Sequence, residues 1–535
     1  MRRHTLLGCS LTALIAAAAQ AEVAEQSADI LVTAHAQSLD QVTSTGSRLG
    51  ITVLGTPASV ETLNGDVVRQ RGDLSIVDAV TRATGITNDA NPGNGGVSFA
   101  SRGFSGSGSV QILYDGVRLY PGAGTTTFPV DPWMVEQIDV LRGPASVLYG
   151  EGSIGGAINV ISRKTNTERT VVEGSAGFGS QDAWRAAAGI GGPINPVLSY
   201  RVDASARGSD GYVDRGRSRS LALSGSLRFA PTENFSLTLS DDYGKTHPMR
   251  YFGTPLLDGK LDERNRDLNY NVRDAQLAYE DNWLRLKAEW ELGGIRVQNQ
   301  VYRITTDRVF RNLESYYDAG PAAAPRIDRE DYIGIRHQQR QIGDQGSVTF
   351  HRDLGQLKND LVLGFDINSI RFTHSNNSPY PGSSNVGAFN FEPGLFNYGP
   401  GIKPRYRTRT LQYALFAEDR LQVTPELSLV GGVRYDHVRI KRYNLVIGNT
   451  PIAPALVTGF PKTFRNTGWR GGIVYQPEET LAFYAQYATG QDPLGSLITT
   501  SAAQTAFKHG ARTACRRLQA PCLHTRQEDG KFSVE

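Results

Sequence analysis

Cysteine is nearly absent: Cys9 lies in the N-terminal segment and Cys515 and Cys522 near the end, so residues 22–514 hold none. No disulfide framework can stabilise the body of the chain. Long apolar runs are missing too. Beyond the N-terminus, no stretch approaches the roughly 20 apolar residues that a membrane-spanning helix needs. The formal net charge is only +3 over 535 residues, which gives no reason to expect nucleic acid as a partner. Catalytic signatures are lacking as well: the nine histidines are scattered, with no HExxH, no GxSxG and no close carboxylate cluster. The chain reads as a protein that is not an enzyme, with no cofactor and no protein metal site. His337, expected in an external loop, is read either as a haem ligand or as an ordinary surface residue.

Glycine is plentiful at 58, and 22 tyrosines accompany 20 phenylalanines. Glycine and aromatics without apolar helices suit a β-barrel, which needs turns, bends and interfacial rings. A large soluble β-protein fits the same composition. The N-terminus bears on the compartment. Arg2, Arg3 and His4 form a basic start, Leu6 to Ala19 an apolar core, and Ala19, Gln20 and Ala21 a small-x-small cleavage site. Residues 1–21 are therefore expected to be a secretory signal peptide, with the exported chain starting at Glu22. Leu7, Gly8 and Cys9 faintly suggest a lipoprotein site, but Cys9 precedes any adequate apolar run.

Residues 22–50 are short of large apolar side chains, and 51–165 read as a compact α/β domain. Ser75 can cap a short helix that Gly85 stops, with Asp78 three residues after the cap. Asp115 and Gly116 join two short apolar runs, the strongest hairpin signal. From about 170 the texture alternates with period two. Leu284, Leu286, Ala288, Trp290 and Leu292 share one face; Arg285, Lys287, Glu289 and Glu291 share the other. The same pattern recurs at Leu221 to Phe229, Leu411 to Ala417 and Leu427 to Tyr435. Alternation alone does not say which face is inside. Tight joins such as Thr424 to Glu426 contrast with long ones expected at 245–268, 311–331, 373–405 and 445–466. Short turns on one rim and long loops on the other is the outer-membrane arrangement. About fourteen strands fit between 170 and 490.

Leu141, Arg142, Gly143 and Pro144, running on to Tyr149 and Gly150, and then Gly155 to Arg163 closely resemble the end of the plug domain of TonB-dependent receptors. Ser101 to Phe104, Tyr114 to Gly116, and Asp131 with Pro132 fall upstream in that family's order. The resemblance implies an α/β plug domain inside an antiparallel transmembrane β-barrel, of the ferric-siderophore receptor type. Asp29, Ile30, Leu31, Val32, Thr33 and Ala34 look like the TonB box that such receptors offer to the energy-transducing TonB protein. A β-prone strand of this kind adds to a sheet edge through backbone hydrogen bonds. The implied ligand is an iron(III)-siderophore complex. Haem, cobalamin, a nickel chelate or a carbohydrate are the alternatives. The implied place is the outer membrane of a Gram-negative bacterium, with its lipid as a further partner.

By position, Arg102, Tyr120 and Phe128 are expected on or near the plug apices as ligand contacts, with Tyr251 and Phe252 extending the pocket from the first long loop. Arg102 pairing with a barrel carboxylate, and Phe128 packing under a loop, are the equal alternatives. Arg142 and Arg163 are expected to tie plug to barrel.

Family barrels have 22 strands with the lumen plugged. Residues 170–507 are therefore read as a partial barrel. Residues 508–535, which carry Cys515 and Cys522 and no period-two pattern, are read as an anomalous tail, out of frame. The chain as given is accordingly expected not to transport.

Overall fold

The computed structural model describes residues 41–90, 93, 95–106, 108–128, 130–396, 401–447 and 450–491, and the strand segments 514–518, 525–528 and 531–534. The expected signal peptide and residues 29–34 lie outside the described residues.

Strands are numbered along the chain. Two short ones, β1 (Val42–Thr43) and β2 (Ile51–Thr52), pair antiparallel. A five-stranded sheet follows, in the order β3 (Ser59–Asn64), β8 (Val135–Arg142), β9 (Gly156–Ser162), β6 (Val110–Tyr114) and β7 (Val117–Arg118). A small pair, β4 (Ile86–Asn88) and β5 (Phe99–Ser101), stands beside it. The sheet is mixed: β6 runs parallel to β9, and the other pairs are antiparallel. Every residue of β6 is buried, as expected of a strand covered on both faces. The helix Ile76–Thr81 begins as anticipated, with the Ser75 side chain accepting a hydrogen bond from the Asp78 amide at 3.1 Å. Asp115 and Gly116, at φ 46° and 78°, form the two-residue turn between β6 and β7. Positive φ at both positions is what a type I′ turn demands.

Gly156 opens β9 at φ 151°, and a Cβ there would lie inside van der Waals contact with the Leu141 carbonyl of β8. Gly156→Ala should therefore force these two strands apart at a cost of about 1–3 kcal/mol. A lowered melting temperature checks this; an unchanged one shows the close approach to be dispensable.

The second sheet contains β10 (Val171–Gly179), β11 (Ala183–Asn195), β12 (Leu198–Ser209), β13 (Ser218–Thr232), β14 (Phe235–His247), β15 (Gln276–Leu292), β16 (Ile295–Ala319), β17 (Arg326–Leu354) and β18 (Leu357–Asn376). It continues, past β19 (Ser384–Gly387), which pairs with β17, through β20 (Lys403–Gln422) and β21 (Leu427–Asn444). Beyond the hairpin of β22 (Val446–Ile447) and β23 (Thr450–Pro451) come β24 (Gly459–Glu478), β25 (Leu481–Gln491) and β26 (Ala514–Leu518). The main path is antiparallel and follows chain order. Among the described residues it has fourteen strands, β26 lying where no strand was expected. Its pairing with β25 uses backbone groups and so needs no side-chain alternation.

The burial pattern settles which face is inside. Leu284, Leu286, Trp290, Leu292, Leu221, Leu223, Leu227, Phe229, Leu411, Tyr413 and Leu415 are all exposed. Arg201, Asp203, Asp242, Asp281, Arg285, Glu418, Arg434 and Arg470, on the opposite face, are buried. A soluble sandwich would show the reverse; an apolar outside around a charged inside is the membrane-barrel pattern. That inner face surrounds the plug. Arg163 pairs with Glu173 of β10 at 2.7 Å, Arg285 of β15 with Asp115, and Gln412 of β20 with Glu151 at 2.7 Å. Arg470 of β24 donates to the Gly46 carbonyl at 2.9 Å.

Joins on one rim are tight, as at 196–197, 233–234, 293–294 and 355–356, while 248–275, 377–402 and 445–458 are long on the other. The expected long loop at 311–331 shrinks to 320–325. Here β16 and β17 pair all the way from Ala319 and Arg326, and this keeps their backbone groups bonded well past the apolar belt.

Candidate functional site at the plug apices

Contacts along β17 fix the direction in which the plug points. The side chain of Gln341 donates to the Arg118 carbonyl at 2.9 Å, and that of Gln339 to the Tyr120 carbonyl at 2.8 Å. Gly122 then lies under Phe372 and the Gln339 amide. The segment thus climbs one inward step at a time toward the long-loop rim. There it reverses at Ala123 and Gly124, both at positive φ, closed by paired hydrogen bonds between Gly122 and Thr125. Arg102 and Gly103 make a second turn of the same kind, closed between Ser101 and Phe104. Arg102 is exposed at its tip, with no ion pair to any described residue.

Facing the Tyr120 segment is a polar aromatic layer built from inward positions of neighbouring strands. His337 of β17 and His374 of β18 are direct cross-strand partners, with Nε2 and Nδ1 2.9 Å apart. The Asn376 side chain fixes their protons. Its oxygen accepts from the Ser378 amide at 3.1 Å and from Arg405 at 2.7 Å, so its NH2 faces His374 Nε2 at 3.0 Å. His374 Nε2 therefore accepts, its Nδ1–H donates to His337 Nε2, and His337 Nδ1 carries a hydrogen. That buried atom has no hydrogen-bond partner among the described residues. Tyr406 stacks on His374 at 4.9 Å, Arg442 lies 3.8 Å over Tyr406, and Phe372 sits 5.3 Å from His337. Arg118 lies 4.3 Å over the Tyr120 ring. Enclosure pushes the Tyr120 phenol up to about 12, against the partial offset of Arg118, so it stays a neutral donor.

Between Tyr120, Gly122, His337, Gln339 and Phe372 the accessible space is about 30 Å³. That suits one or two waters and excludes a chelate, which must sit above this layer. The layer is a floor. A larger cavity of about 720 Å³ lies between the plug, including Phe128, and the inner side of the early barrel strands.

The expected site residues are therefore divided. Arg102 is exposed on the turn between Ser101 and Phe104, and Tyr120 lies on the segment that meets Gln339 of β17. Phe128 packs edge-on against Tyr114 and against Trp283 of β15, at 6.3 and 5.4 Å, so it mainly joins plug to barrel. Tyr251 is buried against Tyr212 at 5.8 Å within the loops. The Phe252 ring occupies the place of a side chain at Gly93 of the plug. Arg163 bridges to β10 as anticipated. Arg142 does not: β8 lies against β3, which places it opposite Ser59, and it pairs with Glu61 and the Thr84 carbonyl inside the plug. His337 is no loop residue. It sits in β17, pointing inward. His374, Phe372, Tyr406 and Arg442 were missed; the period-two pattern marks them as inward, but only the register brings them together.

Residues 52–157 match the TonB-dependent Receptor Plug Domain family, and residues 205–514 match the TonB dependent receptor-like beta-barrel family. The ferrioxamine receptor of Yersinia enterocolitica is 24% identical over 80% of this chain and 60% of its own length. A probable TonB-dependent siderophore receptor of Acinetobacter baumannii, PiuA, is 24% identical over 92% of this chain and 69% of its own. This chain thus spans about two thirds or less of several such relatives. The crystal structure of PiuA superposes with a TM-score of 0.74 at 20% identity, covering 86% of this chain and 68% of that one. The ferripyoverdine receptor of Pseudomonas aeruginosa, bound to ferripyoverdine, gives 0.70 at 20% identity, covering 85% and 60%.

Proposed function

Because the chain belongs to the TonB-dependent receptor family, we propose that it serves import of a ferric siderophore across the outer membrane, energised by TonB through residues 29–34. Chemistry does not occur at the site; binding and release do. One observation carries the reading. The plug tip at Ala123 and Gly124 turns toward the long-loop rim beside a floor of His337, His374, Tyr406 and Arg442, and Arg102 stands exposed on a second plug turn. A chelate arriving from outside meets the exposed Arg102 guanidinium, a donor, while the enclosed Tyr120 phenol lies within the floor beneath it. Arg102 suits the carbonyl or carboxylate oxygens at a chelate's rim, and the aromatic faces suit its flat parts. The iron arrives already chelated and needs no ligand from the protein. The ferrioxamine and siderophore receptors among the relatives support this ligand class.

The test is binding to the purified chain, followed by tryptophan fluorescence, with ferrioxamine B, ferrichrome, haem and cobalamin as probes. A hydroxamate siderophore should bind. Arg102→Ala should weaken it roughly tenfold, the effect of one lost charge-assisted hydrogen bond of about 1.5 kcal/mol. Preference for haem or cobalamin would overturn the siderophore reading. Equal affinity of the Arg102 variant would remove that residue from the site.

A further inference from the structure

The hydrogen-bond relay through the two floor histidines has no place for another proton. Asn376 donates to His374 Nε2 and His374 Nδ1–H to His337 Nε2, at 3.0 and 2.9 Å, so both acceptor nitrogens of the pair are taken. A proton added to His374 Nε2 would face the Asn376 NH2, and one added to His337 Nε2 would face the His374 N–H. The relay cannot turn round to admit it. The Asn376 oxygen is held by the Ser378 amide and by Arg405, at 3.1 and 2.7 Å, and its NH2 also donates to the Tyr380 hydroxyl at 2.7 Å. Asn376 thus ties the histidine pair to the first residues of the long loop 377–402.

Cations surround the pair. From β16, Arg308 is the direct cross-strand partner of His337. From β20, Arg405 holds Asn376 and Tyr406 stacks on His374; from β21, Arg442 lies over that tyrosine. From the plug come the neutral Tyr120 phenol and Arg118 over its ring. Among the described residues no carboxylate bonds to either imidazole. The acid facing this cluster is Glu314 of β16. Burial, opposed by Arg308 and aided by Asp331 of β17, lifts its carboxyl to about 7, so near neutrality it offsets the cations only in part. Burial, then Arg442, Arg308 and Arg405, holds His374 down at about 4; burial, then Arg308, holds His337 well below the usual imidazole range. The pair lies past the apolar belt, where the outward neighbours Arg336 and Gln338 are exposed.

We propose that His337 and His374 form a proton-operated catch: in mild acid the pair takes up protons by breaking its own relay, which frees the start of loop 377–402 and loosens the floor. Linkage sets the direction. A histidine held down in the closed floor regains its ordinary value of about 6.5 when the floor opens. The closed floor is therefore fully favoured above about pH 6.5 and is progressively disfavoured as pH falls toward about 4. Each histidine released shifts the balance toward the open form by up to about tenfold per pH unit in that window. A chelate resting on the floor is then held less tightly in acid than at neutrality. That consequence rests on the proposed function; the catch itself does not, and its readout needs neither siderophore nor TonB.

The experiment is hydrogen exchange of the full chain in detergent, read by mass spectrometry at about pH 7.5 and about pH 5.5 on peptides spanning 374–380. After correction for the intrinsic slowing of exchange in acid, protection there should fall about tenfold for one released histidine and about a hundredfold for two. Peptides spanning 226–238, on the tight-turn rim, should not change. Asn376→Asp lets position 376 accept from a doubly protonated His374 with the relay intact, and should remove most of the pH dependence. His374→Gln, which takes up no proton, should do the same, while Glu314→Gln should behave as the parent. Protection that falls less than about threefold in the parent, or as steeply in Asn376→Asp as in the parent, would overturn the proposal. Loss of the pH dependence in Glu314→Gln would also overturn it, by assigning the proton to that carboxyl.

Discussion

Replacing Leu31 or Val32 with proline is expected to abolish uptake in a full-length receptor while leaving siderophore binding intact. A coupling strand that adds to its partner's sheet edge acts through its backbone, and proline both removes a ladder donor and fixes φ. An alanine at either position keeps the backbone and should retain most of the uptake. The two readouts are accumulation of radioactive iron by cells and equilibrium binding to isolated membranes. Undiminished accumulation by both proline variants would show that residues 29–34 are not the coupling strand. Loss of binding along with uptake would point to a folding defect instead.

The second large effect is expected at Glu418 and Arg470. They pair at 2.5 Å with each side chain only 3% exposed, and together they hold the start of the plug. Glu418 accepts from the Ser47 hydroxyl at 2.5 Å and the Arg48 amide at 3.1 Å, and Arg470 donates to the Gly46 carbonyl at 2.9 Å. Removing one partner leaves a buried charge uncompensated, at a typical cost of about 3–5 kcal/mol. Glu418→Ala should therefore free residues 44–49 and open Arg48 to trypsin at a rate well above that of the parent. Glu418→Leu combined with Arg470→Leu removes both charges and should recover much of the lost stability. Cleavage at Arg48 no faster in Glu418→Ala than in the parent would show that the strap is held by something else.

Much of this fold is written locally. The Ser75 cap, the Asp115–Gly116 turn and the period-two runs each depend on residues close in sequence, and each stands where the chain places it. Alternation could not choose an inner face, because a pattern of period two is symmetric. Exposed Leu284 and Trp290 opposite buried Arg285 made the choice. The site was less legible. Arg102 and Tyr120 follow from the order of the plug motifs, but the floor does not. His337 and His374 meet only through the register of β17 with β18, and Tyr406 joins through that of β18 with β20. Arg142 was misassigned for the same reason. Its partner Glu61 is distant in sequence, and the pairing of β3 with β8 brings them together.

The pair β1–β2 has a mechanical consequence. Gln41 and Val53 stand side by side at its open end, joined by a hydrogen bond of 3.0 Å, and residues 44–50 close the other end. A tension applied at Gln41, with Val53 held by the rest of the plug, loads these bonds one after another as a zipper. Strands pulled along their length would share the load and yield only together. At the end of β1 the tension reaches Thr43, then beyond it Thr45, which donate to Asp139 at 2.9 and 2.8 Å, and then Ser47 on Glu418. The plug's leading edge is thus arranged to peel at low force and in a set order, so a modest, sustained pull from the tight-turn side loosens it without first straining the five-stranded sheet behind it.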